Sequence, residues 1–214
     1  MNKSISLIFL FALGSILLIS CQKEITGTTT GGGGNGGGTI GKKPKLGTQW
    51  MYRYSTFRVD GSLGEAHEVV YKAMSEDQLG GETWLNIVDT TTHLTVFLLN
   101  EKTGGLYHYA NNVSNLLCKY PAIISDTYNT FNGSATVGFT VTGVNDTLQF
   151  LLGDLAVTHY EGRLQSPTPG APQIIDQIWY NENVWIAQRY YYTSGLFGNV
   201  YRKSASIILD YIIY

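Results

Sequence analysis

Side chains that bind metals or transfer protons are few in this sequence. The four histidines, His67, His93, His108 and His159, show no His-x-His or His-x-x-x-His spacing. His159 and Glu161 lie two residues apart in an extended run, so both point to one side of a strand and can supply two metal ligands. Protein metal sites use three or four ligands. We therefore expect solvent-exposed histidines, no metal site and no cofactor.

Local signatures of covalent hydrolases are also missing from the sequence. It has no Gly-x-Ser-x-Gly elbow and no Ser-x-x-Lys. Asp89, Asp154 and Asp176 can still meet in space as the carboxylate pair of a glycoside hydrolase, although no spacing selects a pair. We assign no catalytic residue and expect a non-catalytic protein.

Aromatic residues give the stronger signal, and that signal is for binding. They make up 13% of the chain, and tyrosine alone appears 15 times. Tyrosine and tryptophan combine a flat apolar body with a polar tip, which suits contacts with sugars, peptides or another protein. The competing interpretation, that these rings simply fill the interior of a broad sheet, is the one we favour for the rings themselves. The candidate ligand- or partner-binding residues are Trp50, Tyr52, Trp84, Trp179 and Trp185.

Leu196 and Phe197 are two further binding candidates. They are flanked by Gly195 and Gly198 between two tyrosine-rich runs, which predicts a hairpin tip. Large apolar side chains at a tip either fold back over the sheet edge, which we favour, or face outward to anchor a partner.

Residues 1–20 predict an export signal. Lys3 precedes an almost continuously apolar run over 5–19. A bilayer span needs about 20 apolar residues, so a shorter run at the N-terminus is typical of a signal peptide. An uncleaved anchor followed by a chance cysteine is the alternative.

The end of that run, Leu18-Ile19-Ser20-Cys21, resembles the lipobox of bacterial lipoproteins. The resemblance implies that the Cys21 sulfur carries a diacylglycerol and that cleavage frees its amine for a further acyl chain such as palmitate. Several chains together anchor a protein stably, because each buried methylene contributes about 0.8 kcal/mol. Gln22 stands where aspartate commonly retains such proteins at the inner membrane, so the resemblance implies the outer membrane and leaves the membrane face open.

Once Cys21 is acylated, Cys118 is the remaining thiol, so no intrachain disulfide is expected. Leu116 and Leu117 precede Cys118, and a lone cysteine in such surroundings is more often a small buried hydrophobe than a nucleophile.

Residues 21–43 predict the lipidated cysteine and a flexible tether. The stretch 26–41 is almost wholly glycine and threonine, and it has few side chains that can pack. About 22 residues of such coil have a root-mean-square reach of about 25 Å. A phosphate-binding glycine loop is the alternative, but Lys42-Lys43-Pro44 supplies neither the following helix nor the Lys-Ser/Thr ending that such loops need.

Charge argues against nucleic acid as a partner. Residues 44–214 contain 10 Lys and Arg against 15 Asp and Glu, a formal charge of −5. A phosphate-binding protein shows the opposite sign, clustered on one face. Charged residues are only 14% of the chain, and this composition excludes a coiled coil and favours pleated, half-buried strands.

Residues 44–214 predict one all-β domain. Trp50, Tyr52 and Tyr54 share one face of a strand, and Asp60-Gly61 signals the first turn. Ten or eleven strands at this spacing predict a single antiparallel sheet that curls into a barrel or half-barrel, lipocalin-like or open-barrel in outline, with a sandwich as the alternative. After the first strand the predicted runs are 67–74, 82–91, 95–99, 106–110, 127–131, 136–143, 148–163, 174–180, 185–193 and 201–214.

Several short motifs in this domain resemble a group of poorly characterised bacterial surface lipoproteins whose domain opens with Gly-x-x-Trp-x-Tyr. After Val184 such domains often continue with glycine, an aliphatic residue and valine, where this chain has Trp185-Ile186-Ala187. The resemblance implies an all-β shell on a lipid anchor and implies no reaction. The motifs are Gly47-Thr48-Gln49-Trp50-Met51-Tyr52, Gly81-Glu82-Thr83-Trp84, Gly104-Gly105-Leu106-Tyr107, Lys119-Tyr120-Pro121-Ala122 and Trp179-Tyr180 with Tyr190-Tyr191.

An eight-stranded barrel that spans the membrane is the rival fold, since about 170 residues and the C-terminal aromatic Tyr214 would suit it. The first two strands carry Arg53, Arg58, Glu68 and Lys72, which leave no clean apolar outer face. The sequence therefore predicts a lipid-anchored, non-catalytic envelope protein that binds a ligand or a protein partner through an aromatic-rich sheet surface. The alternative is a hydrolase acting on envelope or extracellular glycans through an unidentified carboxylate pair.

Overall fold

The computed structural model describes residues 42–131, 135–150, 153–164, 174–194 and 201–214, which fall within one compact unit. The predicted signal peptide, Cys21 and the tether up to residue 41 lie outside these residues. No helix within the described ranges is long and apolar enough to cross a membrane. The described strands are β1 Gln49–Phe57, β2 Leu63–Leu79, β3 Glu82–Asp89, β4 Thr95–Lys102, β5 Gly104–Ala110, β6 Val113–Tyr120, β7 Thr127–Phe131, β8 Thr136–Phe150, β9 Gly153–Leu164, β10 Ile174–Asn181, β11 Trp185–Ser194 and β12 Tyr201–Ile213.

All these strands belong to one antiparallel sheet, ordered β6-β5-β4-β3-β2-β1-β12-β11-β10-β9-β8-β7. Most strands pair with their neighbours in the chain, and β1 also pairs with β12, which joins the first strand to the last. The strands β6 and β7 form the two edges of the sheet. The result is an all-β, nearly closed barrel, as the sequence predicts.

Side chains bridge the two edges, at what we term the seam. The Tyr128 hydroxyl in β7 donates to the Leu117 carbonyl in β6 at 2.7 Å. The Tyr160 hydroxyl in β9 donates to the Lys119 carbonyl in β6 at 2.5 Å. Backbone carbonyls that have no ladder partner need another donor, and these two tyrosines supply it.

Inward-facing and outward-facing side chains alternate along β1, as the sequence predicts. Trp50 and Tyr52 point into the barrel and are 2% and 4% exposed, and Tyr54 packs against the same core. Arg53 faces outward and pairs with Asp210 of β12, with Nη2 and Oδ1 2.5 Å apart. The period of two in the sequence is thus the direct cause of the inner and outer faces.

The prediction of 10–11 strands is wrong by a small margin, because the sheet has twelve. The strand β6 was not expected. Asn111 and Asn112 adopt positive φ angles of 53° and 61°, the conformation of a two-residue type I′ hairpin turn, and so connect β5 to β6. The predicted run 148–163 also crosses a strand boundary, since its first three residues end β8 and residues 153–163 belong to β9.

Candidate functional site

The strand pairing gives the barrel two distinct ends. The turns at 58–62 and 111–112 lie at one end, termed the upper end. The turns at 80–81 and 182–184 lie at the other, termed the lower end. Three of the predicted aromatic residues lie near the lower end, and a cleft opens at the upper end.

Three of the predicted binding residues fill the interior near the lower end. Trp50 Nε1 donates to the Val184 carbonyl at 2.8 Å, and the Tyr52 hydroxyl donates to the Ile186 carbonyl at 2.7 Å. The Trp185 ring stacks on Trp50 with centroids 5.9 Å apart and an angle of 26° between the planes. Their polar tips are therefore bonded to the protein, and their faces lie against each other.

The segment before β1 contacts this filled end. Lys43 forms an ion pair with Glu101 at the end of β4, and its Nζ lies 4.0 Å from Glu182 Oε2. Trp185 Nε1 donates to the other Glu101 oxygen at 3.4 Å. Pro44 is buried. The lower half of the barrel is thus a packed interior.

Trp84 lies outside the barrel interior. It is fully buried by neighbours on the outer face, where its ring lies 5.1 Å from that of Tyr109 and the Lys102 ammonium lies 5.5 Å from its centroid. Its Nε1 donates to the Leu79 carbonyl at 3.0 Å.

Trp179 also faces outward, because it alternates with the buried residues Ile178 and Tyr180. Its ring stacks on His159 at 4.2 Å and meets the Tyr190 ring edge-on at 4.9 Å. The four tryptophans therefore do not converge on one site. The remaining predicted sites, Cys21, Leu196 and Phe197, lie outside the described residues.

A cleft occupies the barrel interior at the upper end, with a volume of about 1170 Å³ that includes the open space at its mouth. A Cβ atom on Gly162 would lie 2.8 Å from two atoms of the Phe139 ring, so glycine at this position gives that wall residue its room. The cleft draws its walls from β5 through β12. Its apolar wall residues are Leu117, Phe131, Val137, Phe139, Leu164 and Ile175.

Arg189 and Asp176 form a bidentate ion pair in this cleft. Arg189 Nε lies 3.0 Å from Asp176 Oδ1, and Nη2 lies 2.6 Å from Oδ2. Each side chain is only 13% exposed. The Tyr191 ring centroid lies 4.7 Å from the Arg189 guanidinium carbon. Because burying a single charge is costly, each partner makes the burial of the other tolerable.

His108 lies beside this pair and is neutral at pH 7. Burial lowers the pKa of its imidazole to about 4, and the nearby Arg189 cation acts in the same direction. Its ring meets Phe97 edge-on with centroids 6.0 Å apart. The expectation that all histidines are solvent-exposed strand residues is therefore wrong for His108, although His67 on β2 is exposed.

Cys118 lies in the same core and is fully buried, as predicted for a small hydrophobe. Burial raises the pKa of its thiol above the ordinary value. A thiol that is protonated and shielded from solvent is a poor nucleophile.

The described lining of the cleft contains a single carboxylate, Asp176, and Arg189 engages both of its oxygens. Glycoside hydrolysis uses two carboxylates, one of them as a proton donor. Within the described ranges, no group of three or more His, Cys, Asp or Glu side chains can hold a metal ion. His159 bonds instead to Thr142, with Nδ1 and Oγ1 2.9 Å apart.

Sequence reasoning did not select the three polar residues that distinguish the cleft. Asp176 was named only as one of several carboxylates. The sequence signal that could have found them is the alternation of side chains along a strand. Asp176 lies on the inward side of β10 together with Ile178 and Tyr180, and Arg189 lies on the inward side of β11 together with Tyr191. A charged residue at an inward position of a strand marks a buried polar contact.

No protein-family model, no curated protein and no solved structure matches the chain.

Proposed function

We propose that this chain is a lipid-anchored protein of the bacterial outer membrane whose barrel binds a small ligand without catalysis. The observation that carries the binding function is the cleft at the upper end of the barrel, whose walls combine apolar side chains with polar ones that include the buried Arg189–Asp176 pair. Small-molecule sites usually combine these two features at the mouth of a barrel. This is also how a lipocalin-like barrel holds its ligand.

The anchor rests on the motif that ends at Cys21. We expect Cys21→Ser to leave the protein without acyl chains and to release it from membranes during detergent-free fractionation. A variant that still sediments with the outer membrane to the wild-type extent would contradict the anchor.

Two matched isoleucines test the ligand site. Ile175 lines the cleft, whereas Ile213 is 46% exposed near the lower end. The full-length protein is purified from its own membranes, and the small molecules that accompany it are extracted and measured by mass spectrometry. A bulky ring in the cleft excludes a ligand, so we expect Ile175→Trp to lose a bound molecule that wild type and Ile213→Trp retain.

The same extraction can also contradict the proposal. Equal recovery of every accompanying molecule from Ile175→Trp and Ile213→Trp would contradict ligand binding in the cleft. Thermal melting of both variants shows whether each still folds.

A further inference from the structure

The cleft is electrically balanced. Arg189 and Asp176 are the charged side chains among the described residues that line it, and their bidentate contact holds one positive and one negative charge together. His108 adds no charge at pH 7, because burial holds its pKa near 4. The described walls therefore offer a ligand no net charge to neutralise.

The cleft nevertheless keeps hydrogen-bonding capacity. Asp176 engages Nε and Nη2 of Arg189 and leaves Nη1 outside the pair. Within the described residues, no hydrogen bond reaches the His108 ring, and a neutral imidazole has one donor and one acceptor.

Both of these polar groups line the cleft, and both lie near the Phe97 ring. The Arg189 guanidinium carbon lies 6.0 Å from the Phe97 ring centroid, and the His108 ring centroid lies 6.0 Å from it. A hydroxyl or carbonyl oxygen in the cleft can accept a hydrogen bond from the guanidinium, or exchange one with the imidazole.

Part of the described wall is apolar and offers contact to an apolar ligand body. Val137 and Phe139 of β8 are each 2% exposed, and Leu117 of β6 is 5% exposed. Such side chains gain from contact with an apolar ligand body and offer nothing to a second polar group.

We infer that the cleft selects uncharged ligands that have an apolar body and a hydroxyl or carbonyl end, and that Asp176 sets this selection by neutralising Arg189. The inference rests on the proposed function. A carboxylate ligand would place a second anion near Asp176, and an ammonium ligand would place a second cation near Arg189. Either charge would lose part of its hydration on entering the cleft and would find no free counter-charge there.

Three photoreactive probes of matched shape test the inference: para-benzoylbenzyl alcohol, para-benzoylbenzoate and para-benzoylbenzylamine, which are neutral, anionic and cationic. Each is titrated against the full-length protein in phospholipid vesicles, and labelling of cleft peptides is measured by mass spectrometry. Partition into protein-free vesicles is subtracted for each probe. We expect the alcohol to reach half-maximal labelling of wild type at a concentration about tenfold lower than either charged probe.

Charge swaps should change this order. Asp176→Asn leaves Arg189 without its anion, so we expect the benzoate to become the preferred probe. Arg189→Gln leaves Asp176 without its cation, so we expect the amine to become preferred. Asp210→Asn is the matched control, since it breaks the similar Arg53–Asp210 pair on the outer face, and it should keep the wild-type order. Thermal melting identifies the variants that fold. If neither Asp176→Asn nor Arg189→Gln folds, the order in which the three probes label wild type tests the inference alone.

Two results separate the inference from the proposed function. Wild-type preference for a charged probe, or an order unchanged by both swaps in folded protein, would overturn the selection of uncharged ligands while leaving ligand binding in place. Failure of all three probes to label the cleft of wild type would overturn both.

Discussion

Tyr128 of β7 donates a hydrogen bond of 2.7 Å to the backbone carbonyl of Leu117 in β6, so a side chain joins the two edges of the sheet where no strand ladder does. Leu117 also lines the cleft. The seam and the cleft therefore share a wall at Leu117, so the hydrogen bond that joins the edges also helps to hold the cleft in shape.

The seam makes a testable contribution to stability. Tyr128→Phe leaves the Leu117 carbonyl without its donor, so we expect the free energy of unfolding to fall by about 1–2 kcal/mol. Tyr180→Phe is the control, because the Tyr180 hydroxyl is buried and has no hydrogen-bond partner among the described residues. Its removal should change stability by less than about 0.5 kcal/mol or increase it. Denaturant unfolding measures both, and equal losses would contradict the bridging role of Tyr128.

The buried ion pair should be strongly coupled. Removing one partner leaves the other as an unpaired buried charge, so we expect Arg189→Met to lower the free energy of unfolding by about 3–5 kcal/mol. The double variant Arg189→Met with Asp176→Leu should recover most of that loss. Arg53→Met on the outer face should cost less than about 1 kcal/mol, since Arg53 is 52% exposed. A double variant no more stable than Arg189→Met would show that the two residues act independently.

His108 predicts a pH dependence of stability. Burial lowers its pKa from 6.5 to about 4, so below 6.5 the unfolded chain takes up a proton that the folded protein does not. Stability is therefore lost as the pH falls through this window, and His108 accounts for about 2 kcal/mol between pH 7 and pH 5. Between pH 7 and pH 5, the free energy of unfolding of His108→Gln should therefore fall by about 2 kcal/mol less than that of wild type. Denaturant unfolding at the two pH values measures this difference. The same loss in both proteins would refute the burial of a neutral imidazole.

Trp185 adopts a φ angle of 66°, in the left-handed region that favours glycine. Loss of the ring should destabilise both Trp185→Gly and Trp185→Ala by several kcal/mol. Glycine should be the more stable of the two by about 1 kcal/mol, because alanine keeps the strained backbone. At Trp50, within the regular strand β1, we expect the opposite order: Trp50→Ala should be more stable than Trp50→Gly. Thermal and denaturant unfolding of the four variants measure this, and glycine below alanine at both positions would contradict the backbone assignment.

The sequence predicts the sheet better than it predicts the cleft. The alternation of Trp50, Tyr52 and Tyr54 directly encodes an inner face, and turn residues such as Gly80 and Gly81 encode reversals, so an all-β barrel follows from local pattern. The strand β6 is missing from the sequence prediction, because Asn111-Asn112 does not contain the glycine or proline that usually signals a turn. The pairing of Asp176 with Arg189 depends on how two strands align, and the place of His108 beside them depends on closure of the whole sheet.

Ligand binding in the cleft at the upper end can be located by mapping where a neutral probe attaches. The full-length protein is irradiated with para-benzoylbenzyl alcohol, and the modified residues are identified by tandem mass spectrometry. We expect adducts on the cleft-facing parts of β6, β8 and β10, retained in Ile213→Trp and lost in Ile175→Trp. Adducts confined to the outer face around Trp84 or Trp179, or adducts unchanged in Ile175→Trp, would contradict ligand binding in the cleft.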